Sequence, residues 1–277
     1  MKQKRQAIPL IFLIYTVCYI ARIVDYFLIR TDQTIIGEAF LHKLFGILVI
    51  FVILSRRNYR LEDIGIKKQG VFKYTIYGLL FGLSMFTIGY FVEVLILKMQ
   101  GNFQAIKFYV SAYAVDENIV TKTGFIFILI CILGNVINVM MEEGLFRGLF
   151  PKLMEQTSYI KVSLFCSILF GFWHIIGPIR NFIDGKSSLQ GMIANIIMLL
   201  ISSSLIAFKF AMLAKLEGAL YMGMADHFVN NAIVNLLHVV SKSGADEMMF
   251  LRITVAQCIS FVLVLYVFLR KRKPKEC

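Results

Sequence analysis

The sequence predicts an all-α, polytopic transmembrane bundle of about eight spans, and three observations carry that prediction. Apolar residues make up 58% of the 277-residue chain and charged residues only 17%, against roughly 45–50% and about 25% in soluble domains. The apolar residues gather in runs close to the roughly 20 residues a helix needs to cross the hydrocarbon core. The basic residues cluster between alternate runs. Such a composition excludes disorder, collagen and a simple water-soluble enzyme. Five scattered cysteines with no CxxC spacing imply neither a disulfide framework nor a metal knuckle.

The runs fall at about 7–29, 36–55, 72–97, 124–147, 160–178, 191–214, 218–239 and 250–270. The first starts close to the N-terminus without a small-residue cleavage signal, which suits a span or signal anchor. Glu38, His42 and Lys43 weaken the second, which suits a tilted or interfacial helix. Arg22 and Asp25 in the first span are expected to pair at i,i+3. Between spans three and four lies the longest loop, about 98–123, with Asp116 and Glu117.

Net charge is +12, from 29 Lys and Arg against 17 Asp and Glu. Lys2, Lys4 and Arg5 precede span one, and Arg56, Arg57, Arg60, Lys67, Lys68 and Lys73 lie between spans two and three. Lys152 and Lys161 follow span four, Lys215 follows span six, and Arg270 to Lys275 hold five more. By the positive-inside rule both termini and the even-numbered loops face the cytoplasm. The basic excess then reads as loops facing anionic lipid, with no nucleic-acid partner. Neither a flexible linker nor an internal repeat divides the chain, so residues 1–277 are expected to form one transmembrane domain.

Polar residues inside apolar spans are costly and mark function by default. At about 100° per residue, Asn135, Asn138 and Glu142 share one stripe of the fourth span, and Glu143 lies about 100° away. Glu143 and Arg147, at i,i+4, suit an ion pair. Span five carries Phe170 and His174, and span seven carries His227, Asn231, Asn235 and His238 within about 80° of one another on a helix. Each group alone has a plain structural reading: interfacial charges at a helix end, a packing histidine, interhelical hydrogen bonding. Asn235 and His238 fit the last best. Together, Glu142, His174, His227 and Asn231 suit hydrolysis: a glutamate serves as base and then acid, and His and Asn N–H groups stabilise an oxyanion. Water must reach such a site, so a buried polar site open to the cytoplasm is expected.

These residues resemble a known set. Glu142-Glu143-x-x-x-Arg147, Phe170-x-x-x-His174 and His227-x-x-x-Asn231 match, in order, the EExxxR, FxxxH and HxxxN motifs of the CAAX protease and bacteriocin-processing family of intramembrane endopeptidases. The motifs span 142–231, and the family core would cover about 120–270. Leu61-Glu62-Asp63-Ile64-Gly65-Ile66 resembles the short amphipathic lead-in of bacterial members. The resemblance implies that Glu142 activates water and His174 helps to position it. It implies that His227 and Asn231 stabilise the oxyanion while Glu143 and Arg147 support the helix and orient the base. The expected partners are the bilayer and a membrane-associated protein or peptide substrate, in the plasma membrane of a prokaryote. No cofactor is expected.

Three alternatives stay open on the sequence. His174, His227 and a glutamate resemble a catalytic zinc set, although HExxH is absent. A transporter would show broken or repeated helices, which the sequence lacks. A non-catalytic scaffold or regulator would share the resemblance and tolerate Glu142→Gln. One tension concerns depth: His174 lies about 20 Å from the start of its span and His227 about 15 Å, at 1.5 Å per residue.

Overall fold

The computed structural model describes residues 2–34, 37–111 and 122–272. Asp116, Glu117, Lys273 and Lys275 lie outside the described residues. Eight long helices stand where the eight apolar runs were read: α1 (Lys2–Val24), α2 (Leu41–Arg57), α3 (Val71–Met99), α4 (Phe125–Glu143), α6 (Tyr159–Trp173), α8 (Leu189–Glu217), α9 (Tyr221–Leu236) and α10 (Met249–Arg272). Two short helices, α5 (Phe150–Leu153) and α7 (Ile176–Ile183), extend α4 and α6. Six helical stretches among the described residues are long and apolar enough to cross a membrane. The other two long helices, α2 and α9, have 17 and 16 residues. Large apolar side chains such as Leu13, Leu48, Phe91, Ile168, Ile201 and Val262 are exposed, as lipid-facing positions require.

Helix ends follow local chemistry. Ser188 caps α8, its Oγ accepting from the Gly191 N–H, and Gly218 closes that helix with φ near 65°. Between α4 and α5, residues Gly144–Leu149 form a π-helical turn directly after the two glutamates. Such a turn re-aims the following side chains relative to a regular helix.

Close helix approach depends on small residues, because lipid offers no hydrophobic drive for association. Gly78 and Gly82 of α3 face α9. A Cβ on Gly82 would sit 2.9 Å from both Asp226 Oδ1 and Val229 Cβ.

The expected seventh span ends early. Helix α9 stops at Leu236, and Leu237–Ser241 form strand β2, antiparallel to β1 (Phe103–Phe108). His238 therefore leaves the helical stripe. It stacks on Tyr109 with ring centres 3.9 Å apart, and its Nδ1 lies 2.9 Å from Asp246 Oδ2. Arg252 completes this cluster, donating to both Asp246 oxygens at 2.7 and 2.5 Å and to Glu93 at 3.0 Å. Burial alone would push the Asp246 carboxyl up; hydrogen bonds from Arg252 and His238 overcome that and hold it below the ordinary carboxylate range.

The expected Arg22–Asp25 pair is corrected. Asp25 accepts from Thr31 Oγ1 at 2.6 Å and from the His42 backbone N–H at 3.1 Å, with His42 Nδ1 at 2.8 Å. Arg22 turns toward Glu142 instead. A π-helical turn begins at Asp25, and partners on other segments satisfy each charge better than its neighbour would. The charges that weakened the second span are also paired internally: Lys43 with Glu38, and His42 with Asp25.

Candidate active site

Helices α4, α6 and α9 bring Glu142, Glu143, Arg147, Phe170 and His227 together. Glu142 is 2% exposed and Glu143 1%. As the 100° offset demanded, they have different partners. Glu142 Oε1 accepts from Trp173 Nε1 at 3.1 Å, and Oε2 accepts from Asn138 Nδ2 at 3.4 Å. Glu143 pairs with Arg147, Nε to Oε2 at 3.3 Å, as the i,i+4 spacing implied.

His227 reaches both glutamates. Its Nδ1 lies 2.7 Å from Glu143 Oε1, and its Nε2 lies 3.6 Å from Glu142 Oε2. Since a carboxylate only accepts, the Nδ1–H donates to Glu143. Nε2 is then the nitrogen that faces Glu142. Phe210 stacks on the imidazole at 4.9 Å and 20°, fixing its plane.

Phe170 packs against three of the other motif side chains. Its ring is 4.6 Å from that of His174, 6.2 Å from that of His227, and 4.0 Å from the Arg147 guanidinium. The aromatic face serves as a partner for the buried cation. His174 follows α6 directly, and its Nδ1–H donates to the Phe170 carbonyl at 2.9 Å, which leaves Nε2 as the nitrogen not used in that bond. Asn231 stands one turn beyond His227, and its Oδ1 accepts from Asn230 Nδ2 at 2.9 Å. His174 and Asn231 are half-buried, each one helical turn beyond Phe170 and His227 respectively.

Tyr159 to His174 spans about 22 Å of helix, and Tyr221 to His227 about 9 Å. The start of α9 is held against the 61–66 segment. The Leu220 N–H donates to the Gly65 carbonyl at 3.0 Å, and Gly148 packs on Ile64 and Leu220. The lead-in 61–66 is thus a strap under α9, built on a 3₁₀ turn at Leu61–Ile64 with Ile64 2% exposed.

Two site groups escaped sequence reasoning. Trp173 supplies the shorter of the two hydrogen bonds to Glu142. Arg22 of α1 lies 3.8 Å from Glu142 Oε1, with its guanidinium 4.7 Å from the Trp173 ring. An ionisable residue in the first apolar run was the only available signal for Arg22. Among the described residues, no group of three or more His, Cys, Asp and Glu is arranged to hold a metal ion.

Residues 124–233 match the family model described as type II CAAX prenyl endopeptidase, Rce1-like. No curated protein and no solved structure matched the chain.

Proposed function

We propose that this chain, an integral membrane protein whose residues 124–233 match the CAAX prenyl endopeptidase family model, hydrolyses a peptide bond by glutamate-activated water. One observation carries the reading: Glu142 is buried with Trp173 and Asn138 donating to it and His227 Nε2 facing it, while Glu143 holds the other nitrogen of the same imidazole.

In this mechanism Glu142 takes a proton from water as the water oxygen bonds to the scissile carbonyl carbon. His174, whose Nδ1–H is committed to the Phe170 carbonyl, positions that water through Nε2. The carbonyl oxygen becomes an oxyanion that receives N–H from Asn231 and, when its ring is doubly protonated, from His227 Nε2. The C–N bond then breaks, and Glu142 returns its proton to the leaving amine. Glu143 and Arg147 position His227 without touching the substrate. No metal enters the scheme. In support, Glu142 already accepts two N–H donors, and His227 Nδ1 is committed to Glu143.

The substrate is proposed to be a membrane-associated protein or peptide, either a prenylated tail or a membrane-bound peptide precursor. The setting is proposed to be a prokaryotic plasma membrane, with both termini and the site facing the cytoplasm. The test is cleavage of a peptide panel, including a farnesylated CaaX reporter, by the full chain in liposomes. Wild type runs beside Glu142→Gln, with and without a strong chelator. Cleavage lost in the variant and kept under chelator supports the scheme. Loss under chelator with rescue by zinc replaces it with a metal mechanism. A variant that retains a cellular phenotype without cleavage points to a scaffold.

A further inference from the structure

Lys209 of α8 is 0% exposed, yet it lies outside the proposed reacting groups. Its ammonium has three N–H donors and, among the described residues, three oxygen partners. Asp226 Oδ2 is at 2.6 Å, Gln257 Oε1 at 2.8 Å and Ser260 Oγ at 3.1 Å. Ser260 spends its own proton on the Gln257 backbone carbonyl at 3.0 Å, so toward Lys209 it can only accept. Asp226 alone would compensate the buried charge. The contact to Gln257 does something more.

An ammonium has no acceptor, so the Gln257 atom facing it must be oxygen. The Gln257 NH₂ then points the other way, and it donates to Asn230 Oδ1 at 2.8 Å. That turns the Asn230 NH₂ outward, where it donates to Asn231 Oδ1 at 2.9 Å. With its oxygen engaged, Asn231 has only its NH₂ left to offer. Asn231 lies on the His227 face of α9 because residues four apart share a face. A free asparagine amide can flip, and an oxygen turned toward a developing oxyanion would repel it.

We propose that Lys209, Gln257 and Asn230 are positioning residues that lock the Asn231 amide with its N–H donors toward the reacting carbonyl. This rests on the protease reading above. It also explains the order of residue types: a cation, then three amides, each with oxygen toward the cation.

The relay makes a sign prediction that a merely structural network does not. Asn230→Asp keeps the shape of residue 230 but can only accept. Gln257 still donates to it, and the Asn231 NH₂ must turn inward to donate as well, leaving oxygen facing the substrate. Asn230→Ala removes the partner and imposes no orientation. The relay therefore requires the isosteric Asp variant to be worse than the truncated Ala variant.

The full chain in nanodiscs would be assayed with an internally quenched farnesylated CaaX peptide. Asn231→Ala sets the scale, about 10²–10³-fold in kcat for one oxyanion donor. Asn230→Asp is expected to lose about 100-fold in kcat with KM unchanged within about twofold, and Asn230→Ala less than about tenfold. An independent readout is hydrogen exchange of the ¹⁵N-labelled side-chain amides. In wild type the Asn231 NH₂ should exchange faster than that of Asn230, and in Asn230→Asp it should become protected. Gln257→Glu against Gln257→Met repeats the comparison one link back if the Asp variant fails to fold.

An Asp variant no worse than Ala, or Asn231 exchange unchanged by Asn230→Asp, overturns the relay. Failure of wild type to cleave any member of the peptide panel overturns the protease reading and with it the relay's catalytic role, whereas full activity in Asn231→Ala beside an inactive Glu142→Gln overturns that role alone. The exchange data still decide the orientation itself.

Discussion

Trp173→Phe isolates one bond to the proposed base. Trp173 is fully buried, and its indole N–H donates to Glu142 Oε1 at 3.1 Å. The ring sits among Tyr15, Tyr19, Phe146 and His42 at centroid distances of 6.1, 5.8, 5.7 and 6.1 Å. Phenylalanine keeps most of that aromatic packing and removes only the donor. A hydrogen bond to a charged group contributes about 1.5–3 kcal/mol. If that energy holds Glu142 in its reactive orientation, its loss lowers kcat by about 10- to 100-fold, at 1.36 kcal/mol per decade. KM should move little, because the indole does not touch substrate in this scheme. The assay is steady-state cleavage by the full chain in nanodiscs beside wild type and Glu142→Gln, with thermal unfolding measured on each. A kcat within about twofold of wild type, with only the melting temperature lowered, would show that Trp173 is packing and that its N–H does not orient the base.

Three further predictions concern the frame around the site. Arg252→Met strips the shared cation from Glu93 and Asp246, 0% and 6% exposed; breaking a buried pair in this way costs about 3–5 kcal/mol, read as a large drop in melting temperature that Arg252→Lys should partly restore. The same cluster sets an acid limit. The folded-state pKa of Asp246 is depressed, so its contribution is fully present above the unfolded value of about 3.9 and is lost as pH falls through the still lower folded value. Melting temperature should hold from neutrality to about pH 5 and fall below about pH 4, and Asp246→Asn should flatten that acid limb. Gly82→Leu should force α3 off α9, since even a Cβ would meet Val229 and Asp226 at 2.9 Å; overpacking typically costs about 1–3 kcal/mol, and here it should also cut activity by displacing His227, whereas Gly101→Ala, with nothing near its Cβ, should not displace it.

The sequence by itself determined the helices and the facing of the motif residues, because both are local. Apolar runs of sufficient length impose helices in a bilayer, where every backbone group must be satisfied within its segment. The 100° step separates Glu142 from Glu143 and aligns Glu143 with Arg147, and the structure keeps both relations. Local rules failed where a distant partner satisfied a group better. Arg22 and Asp25 are near neighbours, but α4 and α2 supply Glu142 and His42 to them. His238 continues a helical stripe on paper, yet pairing with β1 ends the helix before it. The hold of the 61–66 segment on the start of α9, from the Leu220 N–H to the Gly65 carbonyl, joins residues far apart in the chain and could not be read from either stretch alone. The hydrogen-bonded chain from buried Lys209 to half-buried Asn231 crosses three helices. Its members are unremarkable polar residues in the sequence, and only packing makes each lone pair choose its donor.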